Sequence, residues 1–270
     1  MGEKTKRPTD DEYPEGGDFL RLVRRLADAC ARHTDDRVLH MGKKAPRTLE
    51  QLGTVLSILE RVGSCWWGCR GGDHVPEYLV ARCCSSAFAA LTLAQHGFYD
   101  EALSLARNLG ELANLMFLFA FDDTKFKTWK HADENARLRS FSPVKVRLTL
   151  QNAQIPIPIE QDHYQRLSGV ATHASPSGRP QLHNPTGRPS LGGLFQDAGF
   201  LVCLNEIAYV VGIIATSTVR LADVSRDRRR MLKREAVALI RSIGGIGIRE
   251  ERDVLEKLRQ QPAPSDGDAA

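Results

Sequence analysis

The stretch HGFYDEALSLARNLGELANLMFLFAFD (96–122) decides the fold. Leu105, Leu109, Leu112, Met116 and Phe119 recur every three or four residues, the spacing of a helix with one inward stripe. Gly97 punctuates its start. The small residues of HGFYDEALSLAR suit a helix–turn–helix hairpin that packs closely. No segment of the chain carries a convincing run of alternating β-branched residues, so the reading is all-α.

The same periodicity extends outward. Asp18 can cap a helix over DFLRLVRRLADACARH (18–33), with Phe19, Leu22, Val23, Leu26 and Cys30 in register. HMGKKAPR (40–47) reads as a loop, after which Thr48 caps a helix striped by Leu49, Leu52, Leu56, Leu59 and Val62. A glycine-rich break at 63–76 precedes a helix over 76–96. Helical pieces are expected near 130–139 and 142–153. IPIPIE (155–160) is a connector, because two prolines so close together prevent a regular helix. A helix then runs from about Glu160 to His173, followed by a Pro/Gly loop over 174–193. Further helices are expected over 194–223, 225–245 and 249–261.

These elements give an all-α bundle of about eight or nine helices, with 97–121 and 194–223 at its centre. The helical domain spans 17–260 between tails at 1–16 and 261–270 that are expected to be disordered. A hydrophobic content of 42% across 270 residues is enough to build a core without disulfides. The net charge of +4 is compatible with nucleic acid and too small to argue for it. The N-terminus has no apolar signal region, so a cytoplasmic protein with reduced thiols is expected. Residues 198–222 form a long apolar run interrupted by Asn205 and Glu206, which reads as a buried central helix rather than a membrane span. No dinucleotide fingerprint or P-loop is present.

YQRLSGVATHAS (164–175) is the main chemical candidate. In an α-helix, Arg166 and His173 share one face, about 10 Å apart along the axis. Imidazole can move a proton near neutral pH, and guanidinium can hold a phosphate in bidentate fashion. Together they suit metal-free cleavage of an RNA phosphodiester. The same residues also read as an exposed arginine and a histidine that complements a helix C-terminus.

Arg107 and Glu111 are i and i+4 on the helix expected over 96–122. They read either as an intrahelical ion pair or as supports for Arg166 and His173. Glu206 raises the same question on the central helix, with Arg107 and Arg166 as its available partners. In RDRRRMLKR (226–234), Arg228, Arg229 and Arg230 either follow a phosphate backbone or form a solvated face. Arg179 and Arg188 sit in two Gly-Arg-Pro turns just after His173, placed to grip RNA if RNA binds.

Cys65, Cys69, His74, Cys83 and Cys84 supply enough ligands for zinc, at spacings that match no common finger. Cys83 and Cys84 point about 100° apart on a helix and read better, with Cys30 and Cys203, as small core residues. No metal and no cofactor are therefore expected.

RLSGVATH resembles the Arg-x4–6-His motif of the HEPN (higher eukaryotes and prokaryotes nucleotide-binding) superfamily of α-helical domains. ARNLGELANLMFLFAFDD and the later Leu167, Ser168 and His173 are similar to helical bacterial proteins of this kind, so the resemblance spans roughly 76–223. Leu167 stands where the commoner family form has a polar residue. The resemblance implies a metal-independent endoribonuclease of a bacterial defence or toxin system. His173 would be the acid/base, Arg166 the phosphate clamp, and Arg107, Glu111 and Glu206 their supports. It also implies a homodimer, an RNA substrate and an antitoxin or defence partner; no membrane is expected, since 198–222 reads as a buried helix. The alternative is a non-catalytic helical interaction or dimerisation protein.

Overall fold

The computed structural model describes residues 14–69, 73–172 and 192–243. These residues form an all-α bundle with no strand among them. Its helices are α1 (Gly16–Val38), α2 (Lys44–Gly63), α3 (Val75–Gln95), α4 (Tyr99–Phe121) and α5 (Asp123–His131). They continue with α6 (Glu134–Phe141), α7 (Pro143–Asn152), α8 (Gln161–Leu167), a π turn (Ser168–Thr172), α9 (Asp197–Leu221) and α10 (Arg226–Ile243).

α9 is the centre, as its composition implies. It packs against α2, α3, α4 and α10. Phe200, Leu204, Ile207, Val210 and Ile214 are fully buried along it. An apolar helix surrounded by other helices needs no polar face. By length and composition α9 could cross a membrane, and 72% of its most apolar window is buried within the bundle.

α4 and α9 run parallel and in register. At their starts, the Gln196 N–H donates to Tyr99 Oη at 2.9 Å and Cys203 Sγ lies 3.5 Å from the Tyr99 carbonyl. At their ends, Arg220 reaches the Ala120 carbonyl at 3.4 Å. Gly199 allows this approach, since a Cβ there would fall 2.8 Å from the Tyr99 ring. α2 and α3 cross just as tightly at Gly63, where a Cβ would meet the Ala81 backbone nitrogen at 2.7 Å. α1 lies outside this group. Thr34 donates to the Gln95 carbonyl at 2.9 Å, and Arg37 forks onto Asp197 at 2.9 and 3.1 Å.

Three local expectations change. α2 begins at Lys44 instead of Thr48, and Pro46 is accommodated in its first turn, where a missing N–H costs nothing. Thr48 is consequently buried inside the helix. The segment after α4 holds a helix at 123–131 that hydrophobic spacing does not reveal, because none of its residues is buried. Its signal is the cap: the Asp122 carboxylate accepts from the Thr124 and Lys125 N–H groups at 3.0 and 3.1 Å. Finally, the helix expected over 160–173 leaves α geometry at Ser168. The expected loop over 174–193, save its last two residues, the helix at 249–261, the C-terminal tail at 261–270 and most of the N-terminal tail lie outside the described residues.

Candidate functional site

The site is built from the connector 155–160. Asn114, buried on α4, clamps it from one side: its amide donates to the Ile159 carbonyl at 2.9 Å, and its carbonyl accepts the Ile159 N–H at 3.0 Å. Gly110, one turn earlier, lets the Ile159 side chain lie close over α4. From the other side, Tyr209 of α9 donates to the Pro158 carbonyl at 2.9 Å. A proline-bearing segment with few hydrogen bonds of its own is thereby held by side chains. It launches α8 between α4 and α9.

α4 presents Ser104, Arg107 and Glu111, at i, i+3 and i+7, to α8 and the π turn. Ser104 donates to the Ala171 carbonyl at 3.2 Å. Arg107 Nε donates to Ser168 Oγ at 2.7 Å, and a terminal Arg107 nitrogen contacts Tyr164 Oη. Tyr164 in turn donates to Glu111 Oε1 at 2.6 Å, which also lies 3.3 Å from Arg107. Ser168 completes the arrangement by donating to the Tyr164 carbonyl at 2.9 Å. The guanidiniums of Arg107 and of Arg147, from α7, lie 4.1 and 4.9 Å from the Tyr164 ring centre.

Two cations and one carboxylate therefore surround one phenol. Burial pushes the Glu111 carboxyl up from its usual range, and Arg107 and Arg147 pull it partly back. Arg147 is 7% exposed, and burial pulls its pKa below the ordinary value. Glu111 also lines a cavity of about 370 Å³, together with Arg82, Ser86, Asn108, Leu112 and Phe141. That volume lies in the range of small-molecule clefts.

On its α9 side, α8 contributes His163. Its Nε2 lies 2.5 Å from Glu206 Oε1, with the two side chains 13% and 3% exposed. The ring also packs against Tyr209 at 6.2 Å.

The expected site residues separate accordingly. Arg107 and Glu111 do meet α8, through Tyr164 and Ser168. Arg166, two residues beyond Tyr164, is turned about 200° around the helix from it and is half-buried. Glu206 pairs with His163, not with Arg107 or Arg166, because His163 is the α8 residue that faces α9. Leu167 is 2% exposed, which accounts for an apolar residue beside Arg166. The π turn replaces the α spacing assumed between Arg166 and His173, so their shared face no longer follows from residue count. His173, Arg179 and Arg188 lie outside the described residues.

Arg228 to Arg230 are engaged on α10. Arg228 donates to the Trp67 carbonyl at 3.0 Å, Arg229 lies 3.8 Å from Asp223, and Arg230 lies 3.5 Å from Asp227. α10 packs on α2 and α9, whereas α8 packs on α4. Tyr164, Arg147, Ser104 and His163 escaped the sequence reading. The available signal was Tyr164 and Ser168 at i and i+4, matching the spacing of Arg107 and Glu111.

Residues 73–156 match a family described only as a family of unknown function, DUF5677. That similarity covers α3 to α7, including Arg107, Glu111 and Arg147, and stops short of α8. No curated protein and no solved structure matches the chain.

Proposed function

We propose that the protein is a metal-independent endoribonuclease of HEPN type, cytoplasmic and dimeric. The reading is supported by one relationship above all: Arg107 and Ser104 of α4 fasten Ser168 and Ala171, the turn that leads directly to His173. π turns are frequent at functional sites, and this one is secured on its inner side. The excess of guanidinium over carboxylate around Tyr164, with Arg82 in the neighbouring cavity, suits an anionic phosphodiester ligand.

In this chemistry His173 takes the proton of a ribose 2′-hydroxyl, and the freed oxygen attacks the adjacent phosphorus. The bond to the 5′-oxygen breaks, and that oxygen leaves with a proton returned by the protonated His173, directly or through water. Arg166 stabilises the charge on the non-bridging oxygens. Arg107 and Glu111 act as positioning residues through Tyr164 and Ser168. The defence or toxin setting, and an antitoxin or other partner, follow from the resemblance to HEPN proteins.

A second reading, a non-catalytic interaction protein, has its own support. Arg107, Glu111 and Glu206 all have internal partners, as structural residues do.

The test is RNA cleavage by purified protein in magnesium-free buffer containing EDTA, with helix content checked by circular dichroism. Cleavage by the wild type that falls at least about 100-fold in His173→Ala and Arg166→Ala supports the nuclease. Equal cleavage by the variants, or none by any protein, leaves the interaction role.

A further inference from the structure

A second cluster lies away from α8, at the connection between α2 and α3. Cys65 Sγ and Cys69 Sγ lie 3.3 and 3.0 Å from the same atom, His74 Nδ1. The three donor atoms all fall within 4.8 Å of one another. The geometry points to a binding site for a thiophilic divalent cation of the zinc class, held by Cys65, Cys69 and His74.

Four features carry this assignment. First, two sulfurs converge on one imidazole nitrogen. That nitrogen has either one proton or one lone pair, so it can satisfy one thiol by hydrogen bonding. A cation between the three atoms accepts a lone pair from each. Second, the spacing is close to a coordination triangle. With metal–sulfur and metal–nitrogen bonds of about 2.3 and 2.0 Å, tetrahedral ligands stand roughly 3.5 Å apart.

Third, the backbone is bent to make the cluster. Cys65 and His74 have φ of 57° and 50°, two of the three non-glycine residues in the left-handed region among those described. Gly68, between the cysteines, has φ 81°. Such conformations cost free energy in a side chain-bearing residue and persist where something holds them. Fourth, two thiolates and an imidazole form a soft donor set that favours zinc over magnesium or calcium.

The other cysteines named with this motif do not contribute. Cys83 is 1% exposed and lies against Met116 Sδ at 3.5 Å, while Cys84 lies against the Leu56 carbonyl at 3.6 Å. Three protein ligands leave a fourth coordination position for water or another small ligand. On binding, each thiol gives up its proton to solvent, and the two thiolates balance the charge of the ion.

The site would organise what docks on this connection. Arg228 of α10 bonds the Trp67 carbonyl and lies 4.8 Å from its ring, and Lys130 of α5 pairs with Asp73 beside His74. A cation would thus fix the point where α2, α3, α5 and α10 meet. This inference does not depend on the nuclease reading, and its test requires no RNA.

Full-length protein is purified under reducing conditions from zinc-supplemented medium, and its metal content is measured. The stripped protein is then titrated with Co²⁺. One equivalent of zinc per chain is expected, along with a near-ultraviolet thiolate-to-cobalt charge-transfer band and visible bands of a tetrahedral site. Cys65→Ser and Cys69→Ser should each abolish the charge-transfer band or weaken it at least tenfold in cobalt affinity, and Cys84→Ser should retain it. Alkylation mapping of the wild type gives a measurement independent of variant folding: zinc should protect Cys65 and Cys69 selectively. Absence of zinc and of the cobalt band in reduced wild type overturns the site. So does a band that survives the double serine variant, or a Cys65–Cys69 disulfide whose reduction restores no metal uptake.

Discussion

Glu206 brings its carboxylate to within 2.5 Å of His163 Nε2 at the contact between α9 and α8, and only 3% of the Glu206 side chain is exposed. Removing this carboxylate leaves the largely buried His163 ring nitrogen without its partner, and a buried polar group so deprived carries its desolvation cost. Glu206→Ala is therefore expected to destabilise the fold by about 1–3 kcal/mol, and Glu206→Gln, which keeps an acceptor oxygen, by less. In urea denaturation the Glu206→Ala/His163→Ala double variant should cost less than the sum of the two single changes. Additive costs would show that the pair is not coupled.

Tyr164 joins Arg107 to Glu111 through its hydroxyl. Tyr164→Phe keeps the ring against both guanidiniums and removes that link. A loss of about 1–2 kcal/mol in stability is expected. Tyr164→Leu should cost more, since the contacts of both cations with the ring also disappear. Equal midpoints for the two variants would mean that the ring contacts contribute nothing.

Asp100, in the first turn of α4, has a buried Oδ1 without a hydrogen-bond partner among the described residues. Burial, reinforced by Glu101, raises its carboxyl from 3.8 to about 7. Its favourable contribution is complete below the unfolded value near pH 4 and disappears as pH rises through about 7. Asp100→Asn should match the wild type near pH 4 and exceed it by about 2 kcal/mol at pH 8, a figure that allows for the group's partial exposure. Thermal melts across that range check this, and parallel curves for the two proteins would refute it.

Gly63 and Gly53 occupy the same helix in opposite situations. A Cβ at Gly63 meets the backbone of Ala81 at 2.7–2.8 Å, while one at Gly53 meets nothing within 4 Å. Gly63→Ala is expected to cost about 2 kcal/mol or more, despite the better helix propensity of alanine. Gly53→Ala should gain up to about 1 kcal/mol. Denaturation midpoints that shift in the same direction would contradict this contrast.

The fold was legible where burial has a period. α4 and α9 could be read because their apolar residues mark a core, and both form its centre. α5 could not, since none of its residues is fully buried and its clearest mark is the cap at Asp122. The site was half legible. Arg107, Glu111 and Ser168 carried a recognisable spacing, but Tyr164 and Arg147 are joined to them across elements separated by the 155–160 connector. Which face of α8 turns towards α4 is set by Asn114 and Tyr209 gripping that connector, a three-dimensional fact with no local pattern. The pairing of Glu206 with His163 was hidden for the same reason.

α9 packs chiefly against four helices, whereas no residue of α5 or α6 is fully buried. Amide exchange should divide the molecule accordingly. The α9 amides should exchange only when the whole bundle opens, and those of α5 and α6 through cheap local openings. Among the described helices, a protease would then cut first between Asp123 and Phe141, leaving the bundle assembled around an intact α9.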